Sequence, residues 1–356
     1  MQSAYAGDLR IATYNVELSQ RGPGLLYAAI LRGDHPRVLA TQAIILKVHP
    51  DILLLTGFDY DLGAAALTAY AEGLAAQGLT YPHLVALRPN TGMATGLDMD
   101  GDGRLGDAGD AQGWGRFAGA DGMAILSRYP VLTEQVRDFS TMLWRDLPGA
   151  QLPEQGGTPF PSAGALAIQR LSTTGHWDVP IQLPDGAVVH LLALYATPPV
   201  FDGPEDRNGL RNHDEVAFWS AYLAGKLSYS APHGRFVILG DTNLDPADGN
   251  GRGDAMRALL AHPLVQDPVP RSNGAASAAQ GVGQTGDRAL DTAAWPTPDA
   301  EKPGPGNLRV DYVLPSADWT ISGAGVFWPA PGEADAAMVS GSDGSRHRLV
   351  WVDIAP

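Results

Sequence analysis

The feature that most narrows the fold of this chain is a series of short apolar runs, spread from end to end, that each stop at or beside a polar residue. Leu9-Arg10-Ile11-Ala12-Thr13-Tyr14-Asn15-Val16 alternates in strand fashion and places Asn15 at its end. Ile52-Leu53-Leu54-Leu55 is apolar throughout, the pattern of a strand covered on both faces. Further strands are expected over residues 122–127, 188–195, 236–239, 310–314 and 349–354. Between them, one helix is expected from Asp34 as N-cap, with Pro36 in its first turn, to His49 before Pro50. Two more are expected over 64–76 and about 213–227.

At 356 residues the chain exceeds the usual size of one domain, yet a large two-layer β core with helices outside reaches that length without splitting. One domain over 8–356 is expected, with irregular insertions at about 88–120, 147–162 and 270–306 that are rich in Gly, Pro or Asp. The small, polar stretch 274–286 reads as a mobile loop. Hydrophobic content of 44% with 18% charged residues is ordinary globular composition.

A net charge of -15 argues against tight, sequence-independent binding of nucleic acid, which draws its affinity from Lys and Arg set against phosphates. The absence of cysteine excludes disulfides, zinc thiolates and a cysteine nucleophile. No apolar run approaches the roughly 18 residues needed to span a bilayer. The start, Met1-Gln2-Ser3-Ala4-Tyr5-Ala6-Gly7, lacks a basic and apolar leader although a strand begins almost at once. It reads as a mature chain whose leader was removed, so a periplasmic or extracellular monomer is expected.

The polar residues at strand ends suit phosphate chemistry: Asn15, Asp241 and Asn243 in Gly240-Asp241-Thr242-Asn243, Asp311 before Tyr312, and His347. Their order along the chain resembles the endonuclease/exonuclease/phosphatase superfamily, which includes DNase I, abasic-site endonucleases, sphingomyelinases and inositol phosphatases. The resemblance runs from Leu9 to Asp353. Long stretches are similar to one exported bacterial branch: Pro198-Pro199-Val200-Phe201-Asp202-Gly203-Pro204-Glu205-Asp206-Arg207-Asn208-Gly209, Arg211-Asn212-His213-Asp214-Glu215 and Asn307-Leu308-Arg309-Val310-Asp311-Tyr312-Val313-Leu314-Pro315. The resemblance implies an α/β fold of four layers, a DNase I-like sandwich of two packed mixed β-sheets between helices, with the site at one end.

It also implies roles. Asp241 would orient or deprotonate the attacking water, with Asn243 and Asn15 holding that water and the phosphate. His347 would donate to a phosphoryl oxygen while Asp311 accepts from its other ring nitrogen. Tyr195 stands where much of the family has histidine and would keep a phosphate contact. Asn212 and His213 are implied cleft residues of this branch; alternatively His213 caps the helix it begins.

Two positions depart from the family. Its cation, Mg²⁺ or Mn²⁺, is held by a glutamate after the second strand and by an aspartate before the last histidine. Here those positions read Gly57 and Arg346. A unit positive charge about 4 Å from a divalent cation, at an effective dielectric near 20, costs on the order of 8 kcal/mol. Asp59, or Ser342-Asp343 in place of the usual Ser-Asp, are the possible rescues. Otherwise Arg346 itself would bind a phosphate or carboxylate.

Separately, Asp98-Met99-Asp100-Gly101-Asp102-Gly103 matches the first half of a calcium loop, with Asp107 or Asp110 as the distal ligand, and is otherwise a solvated acidic loop. Asp245, Asp248 and Asn250 form a weaker cluster of turn residues. Trp114, Trp177 and Trp219 line either a cleft or the core. The expected function is phosphoester hydrolysis, as a phosphodiesterase, nuclease or phosphatase, acting on an unidentified phosphate ester with a degenerate metal site. The alternatives are a relative that binds a phosphorylated or acidic ligand through Arg346, His347 and Asn15 without hydrolysis, and a calcium-stabilised secreted interaction protein.

Overall fold

The computed structural model describes residues 8–232, 234–278, 283–295, 304–341 and 343–355. Along the chain the elements are β1 (Leu9–Asn15), α1 (Leu25–Arg32), α2 (Pro36–Val48), β2 (Ile52–Phe58), α3 (Ala65–Ala75), β3 (His83–Val85), β4 (Gly122–Ser127) and β5 (Arg137–Asp138). A small hairpin of β6 (Glu154–Gln155) and β7 (Thr158–Pro159) precedes α4 (Ala163–Ile168). Then follow β8 (Gly175–Gln182), β9 (Val188–Tyr195), α5 (Arg207–Leu223), β10 (Phe236–Asp241), α6 (Asp254–Leu260) and α7 (Asn273–Ser277). The chain closes with β11 (Ala293–Trp295), β12 (Gly306–Leu308), β13 (Asp311–Pro315), β14 (Thr320–Val326) and β15 (Val350–Ala355).

Two mixed sheets carry the fold. One has the order β14-β15-β1-β2-β4-β3, the other β13-β10-β9-β8-β5, and in each a single parallel pair (β1 with β2, β9 with β10) is flanked by antiparallel neighbours. The side-chain period of two divides each strand between layers. Ile52 and Leu54 point into the core between the sheets, with Ile11, Val179, Leu191, Val237 and Val352. Leu53 and Leu55 point outward into a second core, where Ile45 of α2 and Tyr70 and Leu74 of α3 cover them. The outer face of the other sheet, through Leu192, Leu194 and Ile238, is covered by Trp219 and Tyr222 of α5 and Met256 and Leu259 of α6. The result is helix, sheet, sheet, helix. A fully buried Leu or Ile in such a layer contributes roughly 1.5–3 kcal/mol relative to exposure.

Helix boundaries follow their caps. The side chain of His35, and not Asp34, accepts from the Val38 backbone N–H, Pro36 takes the first helical position, and His49 ends α2 in the left-handed region at φ 57°. α5 starts at Arg207, two turns earlier than expected, so His213 lies inside the helix and caps nothing. Residues Asn273–Ser277, expected to be part of a loop, are helical, with Ser272 as the capping side chain; residues 279–282 of that stretch lie outside the described residues.

The motif Arg211-Asn212-His213-Asp214-Glu215 turns out to be a set of struts. Arg211 donates to the carbonyls of Gln112, Arg170, Leu171 and Ser172, tying the 88–120 insertion to the loop before β8. Asn212 is fully buried and donates to the carbonyls of Thr197 and Thr242. Asp214 accepts from the Trp144 indole, and Glu215 accepts from the backbone N–H groups of Thr173 and Thr197. Among the described residues, no helix is long and apolar enough to cross a membrane.

Candidate active site

At one end of the sandwich the inward-facing positions change from apolar to polar. On β1 the sequence Ile11, Thr13, Asn15 runs along one face, and on β10 Val237, Leu239, Asp241 does the same. Register then fixes the neighbours: Asp241 lies directly opposite Tyr195 on β9 and opposite Asp311 on β13. Because β13 runs antiparallel to β10, its first residue meets the last residue of β10. Four strands from two sheets therefore deliver Asn15, Tyr195, Asp241 and Asp311 to one place, and the segment before β15 adds His347.

The contacts are close. Asn15 Nδ2 donates to Asp241 Oδ2 at 2.8 Å and lies 3.4 Å from the Tyr195 hydroxyl. His347 Nδ1 is 2.9 Å from Asp311 Oδ2 and 3.7 Å from Asp241 Oδ2. Asp311 is held by the Thr292 hydroxyl at 2.9 Å, and the His347 ring packs edge-on against Trp295 at 5.4 Å. His347 Nε2 takes no hydrogen bond within the described residues, which leaves that nitrogen to a ligand. Asn243 is held by its N–H to Asp241 Oδ1 at 2.8 Å and spends its amide on the Ala196 carbonyl at 2.9 Å.

Burial sets the charges. It pushes the Asp241 carboxyl well above its ordinary value, aided by the Asp311 charge and opposed by His347 and the Asn15 bond. Burial lowers His347, but the Asp311 and Asp241 carboxylates outweigh it and hold the imidazole protonated above its usual range. Tyr195 is raised, first by burial and then by the Asp121 and Asp241 charges, so its phenol stays neutral.

The other side of the site is built differently. Glu17, two residues past Asn15, accepts from the Arg346 backbone N–H at 2.7 Å and from Arg346 Nε at 2.6 Å. Ser345 Oγ donates to the Asn15 carbonyl at 2.7 Å and lies 3.2 Å from Glu17 Oε2. Burial raises the Glu17 carboxyl, yet the Arg346 bond and the His347 charge hold it below its ordinary value. The Glu17 side chain is 13% exposed and that of Arg346 56%, so the guanidinium faces the cleft. Gly57 forms a bulge in β2 at φ +70°, and an added Cβ would stand 2.4 Å from Asn15 Oδ1.

The residues here do not fit the family's cation at its usual place. Gly57 has no ligand and no room for one, and a guanidinium paired with Glu17 occupies the second position. Asp59, the expected substitute, is held by protein donors: Oδ1 accepts from the Ser19 hydroxyl and the Asp121 N–H, and Oδ2 from the Gln20 N–H. Asp343 is exposed in the segment before Ser345, and Ser342 lies outside the described residues. Ligand atoms of Asp241, Asp311 and His347 do lie within 4.8 Å of one another. A cation among them would compete with a protonated imidazole that already pairs with Asp311 and lies near Asp241.

Asn15, Glu17, Tyr195, Asn243 and His347 line a cleft of about 1740 Å³, bordered by arginines (Arg37, Arg116, Arg207, Arg211, Arg346) and by Trp114, with Asp241 and Asp311 fully buried behind them. Trp114 is 58% exposed, whereas Trp177 and Trp219 are core residues. Asn212 and His213, expected at the cleft, are not part of its lining: His213 shares Nδ1 with Asp214 at 2.9 Å and Gln151 at 3.0 Å. Glu17, Asp121, Thr292 and Trp295 escaped the sequence reading. Glu17 repeats the alternation of Asn15, and Asp121 stands at the start of an antiparallel strand, the position equivalent to the end of a parallel one. In the acidic loop, Asp98, Asp100 and Asp102 bring oxygens within 4.8 Å, and Asp98 accepts from Gly101 N–H at 2.6 Å and Gly103 N–H at 3.0 Å. Asp110 is buried, with its carboxylate on the Met99 and Gly106 N–H groups. Asp245 likewise closes a turn through Ala247 and Asp248.

The sequence matches the endonuclease/exonuclease/phosphatase family over residues 12–347, and the chain belongs to that family. Its fold is similar to that of an endonuclease/exonuclease/phosphatase from Beutenbergia cavernae DSM 12333, at 17% identity over 98% of this chain and 71% of that one, with a TM-score of 0.54. An endonuclease/exonuclease/phosphatase family protein from Leptotrichia buccalis C-1013-b gives 13% identity, 98% and 100% coverage, and a TM-score of 0.50. Sphingomyelinase C from Streptomyces griseocarneus gives 15%, 98% and 99%, and 0.49. A search of the curated proteins finds no match. At these identities the likeness is one of fold. Endonucleases, exonucleases and phosphatases all break phosphoester bonds, commonly with divalent metals, so phosphoester hydrolysis is the chemistry the family carries.

Proposed function

We propose that the chain is a phosphoester hydrolase whose site has replaced the family's cation by an arginine paired with a glutamate. The observation that carries this reading is the hydrogen-bonded set Asn15–Asp241 at 2.8 Å and His347–Asp311 at 2.9 Å, buried at the end of the cleft. Asp241, raised by burial, is poised to take the proton of an attacking water near neutral pH. Protonated His347 offers Nε2 to a phosphoryl oxygen, and the Arg346 guanidinium offers a second, fixed positive charge. No step is assigned to Mg²⁺ or Mn²⁺.

The test is hydrolysis of bis(p-nitrophenyl) phosphate and p-nitrophenyl phosphate by the wild type and by Asp241→Asn, each after exhaustive chelation. Turnover by the wild type that falls by about 100-fold or more in the variant is expected. A wild type that hydrolyses neither ester but binds inorganic phosphate, with binding lost in Arg346→Ala, would replace this reading by that of a non-hydrolysing phosphate binder. The half-exposed guanidinium at the cleft favours that second reading.

The loop of Asp98, Asp100 and Asp102 is proposed as a structural Ca²⁺ site, supported by the approach of its three carboxylates. An exported location belongs to the same proposal, supported by the resemblance to an exported branch; cell fractionation tests it.

A further inference from the structure

We propose that Asp121 is a second catalytic carboxyl of the cleft, the acid that protonates the leaving oxygen while Asp241 receives the proton of the attacking water. This rests on the hydrolase reading above and adds the other half of its proton traffic.

Asp121 immediately precedes β4. Since β4 is antiparallel to β2, and β2 is parallel to β1, its start lies at the same sheet edge as Asn15. The residue sits at φ 54°, in the left-handed region that aspartate and asparagine tolerate better than other side chains. The turn is pinned from three sides: Asp121 N–H donates to Asp59 Oδ1 at 3.0 Å, Tyr60 N–H to Gly119 O at 2.8 Å, and Gly119 N–H to Thr91 O at 3.2 Å. A carboxyl carried on such a turn is held in place before any ligand arrives.

Its Oδ2 accepts from the Tyr195 hydroxyl at 3.2 Å, while Oδ1 takes no hydrogen bond within the described residues and the residue lines the cleft. Neighbouring Asp59 accepts on both oxygens, from Ser19, Gln20 and the Asp121 N–H. Tyr195 in turn lies 3.4 Å from Asn15 Nδ2, which donates to Asp241. Two carboxyls thus stand at opposite ends of one run of hydrogen bonds, Asp241–Asn15–Tyr195–Asp121. The groups that face Asp121 are the Tyr195 phenol, Asp59, Glu17 and His347. Burial, with the two acids, outweighs the Tyr195 bond and His347 and pushes its carboxyl up to about 6, which leaves a proton to give in mildly acidic to neutral solution. Paired carboxyls in unequal surroundings are how one site runs acid and base steps together.

The step balances. The water oxygen bonds to phosphorus as its proton passes to the Asp241 carboxylate. The bond from phosphorus to the leaving oxygen breaks with its electron pair on that oxygen, which takes the Asp121 proton and departs as an alcohol. One proton lost from Asp241 to solvent and one regained by Asp121 restore the site.

The experiment compares phosphodiesters whose leaving groups run from p-nitrophenol through phenol to benzyl alcohol, with wild type and Asp121→Asn. Asparagine accepts the same backbone conformation and cannot donate a proton of comparable acidity. We expect kcat/KM to fall by about 100-fold or more for the phenyl and benzyl esters and by no more than about 3-fold for the p-nitrophenyl ester, whose anion leaves unaided. An equal loss on all three would overturn the proposal and leave the hydrolase reading standing. No cleavage of any ester by the wild type would overturn both. Should Asp121→Asn fail to fold, the wild-type series decides alone: a shallow dependence of kcat on leaving-group acidity supports a proton donor, and a steep one overturns it.

Discussion

The two sides of the cleft have been treated differently. The side built by β9, β10 and β13 carries Asp241 and Asp311, buried and bridged by His347 from the segment before β15, the residues that the family resemblance implies. At the ends of β1 and β2, where the family resemblance implies metal ligands, stand Gly57 and a nearly neutral ion pair of Glu17 with Arg346. Both sides answer the same physical demand: charge must be present where a phosphate would arrive, and it must be balanced when nothing is there. On the first side a buried imidazolium balances the Asp311 carboxylate, while burial raises Asp241 towards its neutral form. On the second a carboxylate balances a guanidinium that remains half exposed. If the proposed reading holds, the difference teaches that a fixed organic charge can stand in for a cation without disturbing the strands beside it.

The largest expected difference between the sides is catalytic. Asp241→Ala should lower kcat by roughly 10²–10⁴-fold, measured on bis(p-nitrophenyl) phosphate, whereas Glu17→Gln should change it by less than about 10-fold. Equal losses would erase the distinction. Next comes Gly57→Glu, which restores the family's residue in name only. A left-handed backbone and a Cβ at 2.4 Å from Asn15 Oδ1 should cost about 2–4 kcal/mol, seen as a lower urea midpoint with no gain in Mn²⁺ affinity. A stable variant that binds Mn²⁺ tightly would show that the bulge can be refolded.

Arg346→Ala should raise KM by about 10-fold with kcat within a few-fold, because the guanidinium binds the phosphate without moving a proton. The kept side should also be visible in stability. His347 has a folded pKa above its ordinary 6.5, so its contribution is fully present below pH 6.5 and is lost as pH rises through the folded value. Urea unfolding from pH 6 to 10 should therefore show a decline that His347→Gln flattens. The smallest effect concerns neither side: millimolar Ca²⁺ should raise the melting temperature by a few degrees through Asp98, Asp100 and Asp102, and Asp100→Ala should remove the rise.

Much of this architecture was legible in the sequence because burial writes itself into apolar runs. Ile52-Leu53-Leu54-Leu55 suits a strand covered on both faces, and it separates two cores. The order Asn15, Asp241, Asp311, His347 resembled that of the family, and register brings those residues together in the candidate site. What stayed hidden obeys other rules. Gly175–Gln182 is a long strand, but its His176, Asp178 and Pro180 break the apolar signal, since buried partners satisfy them: Ser172 and the Glu215 carbonyl hold His176, and Tyr222 and His190 hold Asp178. Asn212 read as a cleft residue because the resemblance to one bacterial branch implied it; it is a strut between two carbonyls. Glu17 and Arg346 are far apart in sequence, and nothing local announces their pairing.

The placement of β15 has a consequence for how the protein comes into being. It lies between β14 and β1, so the first strand of its sheet gains that partner only when the last strand arrives. His347 and Ser345 enter the cleft just before it. A nascent chain can therefore assemble both helical layers and most of the second sheet while β1 still presents an unpaired edge and the site lacks its imidazole. A chain cut before Ser345 would leave β1 without its β15 partner and the candidate site without its imidazole, an open strand of the kind that a cell's quality control recognises.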